Sequence, residues 1–306
     1  MKIVFLDHEV IDRGDIDWGK VKALGELTIY PHTASDDEAI ARLKEAKADA
    51  VLIDEYPIGR NIMEACPDLK FIGPAATGYN HIDLECAGER GIAVCNVPAY
   101  STEAVAQHAM ALILALANHI GRFDADIHAG RWTKSTGNAY TPQNLLLLEG
   151  KSIGIVGYGN IGRKMGELAR AFGMTVYPYS QDPEAAVTAD VLSLHCPLTE
   201  ENRGMVNADF ISRMKDGAIL INTARGGLLD EQAVADALES GKLAGAGVDV
   251  LSSEPPAEDN PMLTAKNCII TPHIAFTPVE IRQRVIDICA ENMRSFLDGG
   301  HQNRIV

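Results

Sequence analysis

SIGIVGYGNIGRKMGELARAF, residues 152–172, decides the fold. It opens on a short apolar run, turns through three glycines and continues as a helix with apolar residues on one face. Gly157, Gly159 and Gly162 stand at G-x-G-x-x-G spacing. The first permits a tight turn, the second lets backbone approach a pyrophosphate, and the third lets the helix pack close on the strand. The helix that follows offers unpaired N–H groups to phosphate oxygens. Gly157, Tyr158, Gly159, Asn160, Ile161 and Gly162 are therefore the expected grip on an adenine dinucleotide.

Outward from this turn, strand-like runs alternate with helical ones. Downstream, MTVYPY, VLSLH, AILINT, AGAGVDV and CIIT read as strands, with helices over 161–172, 207–214 and 230–240. Upstream, KIVFLD (2–7), LTIY (27–30), AVLI (50–53), FIG (71–73) and IAVC (92–95) read as strands separated by amphipathic helices. Parallel strands need crossovers, so such alternation predicts parallel sheets covered by helices. Between the two series lies STEAVAQHAMALILALANHI (101–120), one long apolar helix, followed by a polar, aromatic stretch to Gly150 that is long for a connector. A last helical pattern covers 278–299. The class expected is α/β, with two doubly wound, Rossmann-like units.

The chain has 306 residues and a net charge of −15. Its length suits about two domains, and its negative field disfavours nucleic acid and anionic membrane as partners. No apolar run approaches the roughly 20 residues of a membrane span. MKIVFLDHEV reads as a strand and lacks the apolar core of a signal peptide. Six cysteines show no CxxC pairing, which suggests buried, reduced thiols and a cytoplasmic location. No metal site is expected.

After MTVYPY comes SQDPEAA. An acidic side chain ordinarily accepts hydrogen bonds from the ribose hydroxyls of NAD here, but this chain has Ser180, with Asp182 beyond it. Ser180 weakens the exclusion of a 2′-phosphate, yet the segment has no Arg or Lys to attract one. The expectation is NAD, with NADP possible. Asp182 is either a ribose partner or a helix cap. The span to Asp190 leaves room for about one helical turn.

Three charged residues fall at or just past strand ends, where α/β sites assemble. Arg225 can hold a carboxylate bidentately. His273 can donate a proton near neutral pH, and Glu254 can raise its pKa. Asp249 could orient a nicotinamide amide. Together these residues match what reduction of a 2-keto acid requires.

GYGNIG, HCPLTEEN, INTARGG, GVDVLSSEPP and TPHIAFT, in this order, resemble the D-isomer-specific 2-hydroxyacid dehydrogenase family along nearly the whole chain. AATGYNHID (75–83) and NVPAYSTEAVAQH (96–108) look most like its glycerate dehydrogenase, or hydroxypyruvate reductase, branch. The resemblance implies an NAD(P)-dependent reductase of a small 2-keto acid, with hydroxypyruvate or glyoxylate favoured. Arg225, Glu254 and His273 would be catalytic, and Ala76, Thr77 and Gly78 would join Arg225 in binding substrate. Cys196, Pro197 and Asn202 would lie along the adenosine side, with Thr223, Ala224, Arg225, Asp249 and His273 near the nicotinamide.

The resemblance further implies a homodimer, with the helix and arm of about 101–150 at the interface. It also implies a flavodoxin-like substrate domain of 1–98 and 279–306, and a dinucleotide-binding domain of 99–278. Asp54 and Glu55 stand where that branch commonly has Thr-Asn-Lys; facing the cleft, they would disfavour a second anionic group on the substrate. Two alternatives share these residues: a reductase of a bulkier branched or aromatic 2-keto acid, and a dinucleotide-sensing, corepressor-like binding protein.

Overall fold

The computed structural model describes residues 1–306. The chain divides into two compact units, Met1–Ser101 with Phe276–Val306, and Thr102–Ala275.

The first unit opens β1 (Lys2–Phe5), α1 (Gly19–Lys22), β2 (Glu26–Ile29), α2 (Asp36–Ala46), β3 (Ala50–Ile53), α3 (Arg60–Ala65), β4 (Phe71–Pro74), α4 (Leu84–Glu89) and β5 (Ala93–Val94). The five strands form one parallel sheet in the order β2-β1-β3-β4-β5, the flavodoxin-like arrangement. β3 and β4 are buried along their whole length, as expected of strands covered on both faces. Ser35 caps α2 by accepting the Glu38 N–H, and Asp83 caps α4 through the Cys86 N–H. After β3, the Asp7 carboxylate accepts the N–H groups of Asp54, Glu55 and Tyr56 at 2.7–2.8 Å. Asp54 is buried and Glu55 exposed, so the two acids have different surroundings.

The second unit begins with α5 (Thr102–Asn118) and α6 (Ile120–His128). The helix expected over 101–120 stops at His119, whose backbone is left-handed (φ 48°). α6 lies within the stretch read as a connector. The break at the left-handed His119, with no side-chain cap, hid it from the sequence reading. Then follow β6 (Ser152–Val156), α7 (Asn160–Ala171), β7 (Thr175–Pro178), α8 (Pro183–Val187), β8 (Val191–Leu194), α9 (Ala208–Arg213), β9 (Ala218–Asn222), α10 (Glu231–Ser240), β10 (Leu243–Val248) and β11 (Cys268–Ile270).

The sheet order is β11-β10-β9-β8-β6-β7, all parallel. Strand side chains alternate between two apolar layers. Val191, Ile219 and Ile221 pack with α5 and α7, while Leu192, Leu194 and Leu220 pack with α9 and α10. Strand order reverses between β6 and β8, and ligands of open α/β sheets bind at such a switch point. The sheet lacks the outer strand of the standard six-stranded order, so β7 is its edge. The cause is the short span after Pro178, which holds only the five residues of α8.

The last helix, α11 (Val279–Leu297), belongs to the first unit. Its buried Arg282 grips both carboxylate oxygens of Asp15 at 2.7 Å and donates to the carbonyls of Ile11 and Thr277 at 2.8 Å. All six cysteines are free thiols. No single helix is long and apolar enough to cross a membrane.

Candidate active site

The glycine turn sits between β6 and α7, at the reversal of strand order. Gly157 has φ 90°, and a Cβ there would lie 2.4 Å from the Cys196 nitrogen. A Cβ on Gly162 would lie 2.2 Å from the Gly157 carbonyl oxygen, whereas one on Gly159 would meet nothing within 4 Å. Two glycines thus close the turn on itself, and the middle one opens it outward. α7 has Gly159 as its N-cap with no side-chain cap, so its first N–H groups face that opening. Arg163 donates to the Asn160 side chain at 2.7 Å and the Tyr158 carbonyl at 3.3 Å, placing a cation over the turn. The sequence reading missed Arg163, although a cation beside the last glycine was visible. A pyrophosphate fits this cradle.

Around the turn, His195 shares a hydrogen bond with Ser193 (2.9 Å). Burial pushes its imidazole down to about 4, and its Nδ1 has no partner in the chain. Cys196 is half-buried, and burial pushes its thiol up. The Asn202 side chain donates to the Pro197 carbonyl (2.9 Å) and accepts the Thr199 N–H (2.7 Å), shaping this loop. Ser180 is exposed, just past the end of β7. Asp182 caps α8, accepting the Ala185 N–H at 3.0 Å; of its two readings, this geometry is the helix cap.

The buried Asn222, ending β9, accepts the Ala224 N–H (3.0 Å) and donates to the Arg225 carbonyl (2.9 Å). This Asx turn presents Thr223, Ala224 and Arg225 beyond the strand. An Asn closing an apolar strand was the signal for it, and the sequence reading passed over it. The Thr223 hydroxyl is buried without a partner, an orphan that a bound ligand would satisfy. Arg225 is exposed.

His273 follows β11 with a left-handed backbone, φ 52°, which is strained for a non-glycine residue. Asp249 holds it there. Its carbonyl accepts the His273 N–H (2.8 Å), and its carboxylate accepts the N–H groups of Ile274 (2.9 Å) and Ala275 (2.8 Å) and the Thr271 hydroxyl (2.5 Å). His108, on α5, approaches Thr271 at 2.9 Å and Asp249 at 3.4 Å. With 1% exposure, the Asp249 carboxylate is engaged largely by the chain itself. Glu254 Oε2 lies 2.6 Å from His273 Nδ1. Burial works to raise the Glu254 pKa. The hydrogen bonds from His273 and the Leu251 N–H, with the charges of His273 and Arg225, hold it below the ordinary carboxylate value.

In the first unit, Ala76, Thr77 and Gly78 follow β4. The Thr77 hydroxyl donates to the Val97 carbonyl (2.9 Å), and its own carbonyl accepts from Asn96 (2.8 Å). The Thr77 and Gly78 N–H groups have no partner in the chain. Such a pair suits a carboxylate oxygen.

A glycine cradle at a switch point, with Arg, Glu and His beyond neighbouring strand ends, defines a dinucleotide-dependent oxidoreductase. Residues 110–275 match the family model described as "D-isomer specific 2-hydroxyacid dehydrogenase, NAD binding domain". The chain is 43% identical to a hydroxypyruvate reductase of Blautia hydrogenotrophica, over 99% of each chain. It is 35% identical to a glycerate dehydrogenase of Methylorubrum extorquens, over 99% of this chain and 98% of that one. A D-lactate dehydrogenase of Aquifex aeolicus, solved with NAD and lactic acid, superposes with a TM-score of 0.79 at 28% identity, covering 97% of this chain and 96% of that one. The chain belongs to the D-isomer specific 2-hydroxyacid dehydrogenase family.

Proposed function

We propose that the protein reduces a small 2-keto acid to the D-2-hydroxy acid with NADH, hydroxypyruvate and glyoxylate being the favoured substrates. The observation that carries this is the 2.6 Å pair of His273 and Glu254, held in the same unit as Arg225 and the glycine cradle. The hydroxypyruvate reductase and glycerate dehydrogenase relatives support the choice of substrate.

Gly157 to Gly162 and the start of α7 hold the pyrophosphate, and Thr223, Ala224 and the adjoining loops hold the nicotinamide half. The dinucleotide, when bound, supplies the hydride. Arg225 binds the substrate carboxylate and polarises the carbonyl. The Glu254 carboxylate keeps His273 protonated by engaging Nδ1, so proton transfer to the developing alkoxide falls to Nε2. The N–H groups of Thr77 and Gly78 are assigned to substrate carboxylate binding.

Ile120, Ile127, Trp132, Leu145 and Leu147 are exposed on α6 and the arm after it. Clustered exposure of large apolar side chains in one segment of the chain is the kind of surface that partners cover, and we assign it to a homodimer. Six free thiols suit a reducing compartment, the cytoplasm.

The test is a panel of 2-keto acids, small and bulky, assayed for consumption of NADH and of NADPH. Fastest turnover is expected for hydroxypyruvate or glyoxylate with NADH. Preference for a branched or aromatic acid would move the assignment to that substrate class, and turnover of none would sink it.

A further inference from the structure

We propose that Glu231 is the positioning residue for the His273–Glu254 pair; the inference rests on the assignment of His273 as proton donor. Glu254 sits in a loop whose residues, from Ser252 to Asp259, are all exposed. Only the flanking Leu251 and Asn260 are buried. A solvated loop with no apolar anchor ordinarily has little local stability, yet this one must hold a carboxylate against one imidazole nitrogen.

Both ends of the loop are tied to a single carboxylate. Glu231, the first residue of α10, accepts the Ser252 N–H at 2.7 Å, the Ser252 hydroxyl at 2.8 Å and the Asn260 side-chain amide at 2.8 Å. Asn260 carries the restraint onward by accepting the Met262 N–H at 2.9 Å. On the other side, the loop is wedged against Gly226, where a Cβ would lie 1.9 Å from the Leu251 carbonyl carbon. Between these fixed points the Leu251 N–H donates to Glu254 Oε1 at 2.9 Å, which aims Oε2 at His273.

Charge explains why a carboxylate is needed at 231. All three of its partners present donors, and an ionised carboxylate is the side chain that only accepts. A glutamine would turn an N–H toward one of those donors. The position at the first turn of α10 also favours the anion.

The experiment is a titration of the His273 imidazole by NMR in the protein alone, alongside pH profiles of kcat/KM for hydroxypyruvate reduction. Both are run on E231A, E231Q, E254Q and E231A/E254Q. E254Q should lower the His273 midpoint, by about one unit at the low end of the range for a contacting opposite charge. E231A should lower it by part of that amount and reduce kcat several-fold, with KM for the dinucleotide unchanged. In the E254Q background, E231A should add nothing, because it acts only through Glu254. A wild-type midpoint in E231A, or an equal further loss in the double variant, would overturn the proposal. If E231A fails to fold, E231Q and S252A must still move the midpoint downward, and an unmoved midpoint in both overturns it. Absence of keto-acid turnover by the wild type would count against the function alone, since the titration reads the Glu231 restraint without substrate.

Discussion

Replacing Glu254 with glutamine preserves shape and removes one charge 2.6 Å from His273 Nδ1. Because His273 helps depress the Glu254 pKa, linkage requires Glu254 to raise that of His273 equally. An opposite charge in contact shifts a pKa by about 1–3 units. The two side chains are 32% and 37% exposed, so solvent screening brings the expected shift to the low end of that range.

The sign follows from the direction of reaction. Reduction needs imidazolium, so wild-type activity persists until the pH passes the raised pKa. E254Q should lose activity about one unit earlier, a roughly tenfold deficit on the alkaline side and a smaller one below both midpoints. Oxidation of the hydroxy acid needs neutral imidazole, so its profile should extend to lower pH in the variant. The assay is kcat/KM in both directions across pH. An unmoved midpoint, or movement of both profiles upward, would refute the reasoning.

Other perturbations probe separate parts of the account. Gly157→Ala forces a Cβ within 2.4 Å of backbone at φ 90°; titration calorimetry should show NADH binding weakened beyond measurement while the fold survives. Ser180→Asp places the ordinary ribose acceptor on the exposed edge after β7, and should raise the NADH-to-NADPH ratio of kcat/KM by about tenfold or more, by repulsion of a 2′-phosphate. An unchanged ratio would remove Ser180 from cofactor discrimination. Asp15→Ala leaves the buried Arg282 guanidinium without its carboxylate and should lower the midpoint of denaturant unfolding.

Sequence reading reached the architecture because strands buried on both faces advertise themselves. AVLI, VLSL and AILIN are apolar runs bounded by turns, and each is buried along its length. The glycine cradle was equally visible, since its spacing is a backbone requirement. What escaped was set by contacts between residues distant in the chain. Glu231 and Ser252 are joined by side-chain geometry alone, as are His108 and Thr271. The grip of Asp249 on the Ile274 and Ala275 N–H groups, which holds His273 left-handed, is likewise encoded by no local pattern. α6 was missed for a different reason, because a helix that begins after a left-handed His119 with no side-chain cap carries no start signal of its own.

The central claim is that His273 donates the proton and Arg225 holds the carboxylate. The most direct measurement is the single-turnover rate of hydroxypyruvate reduction in H273A and R225A, with NADH binding measured in parallel. The account predicts rates lowered by about 10²–10⁴-fold with NADH affinity preserved. Wild-type rates in either variant would contradict it.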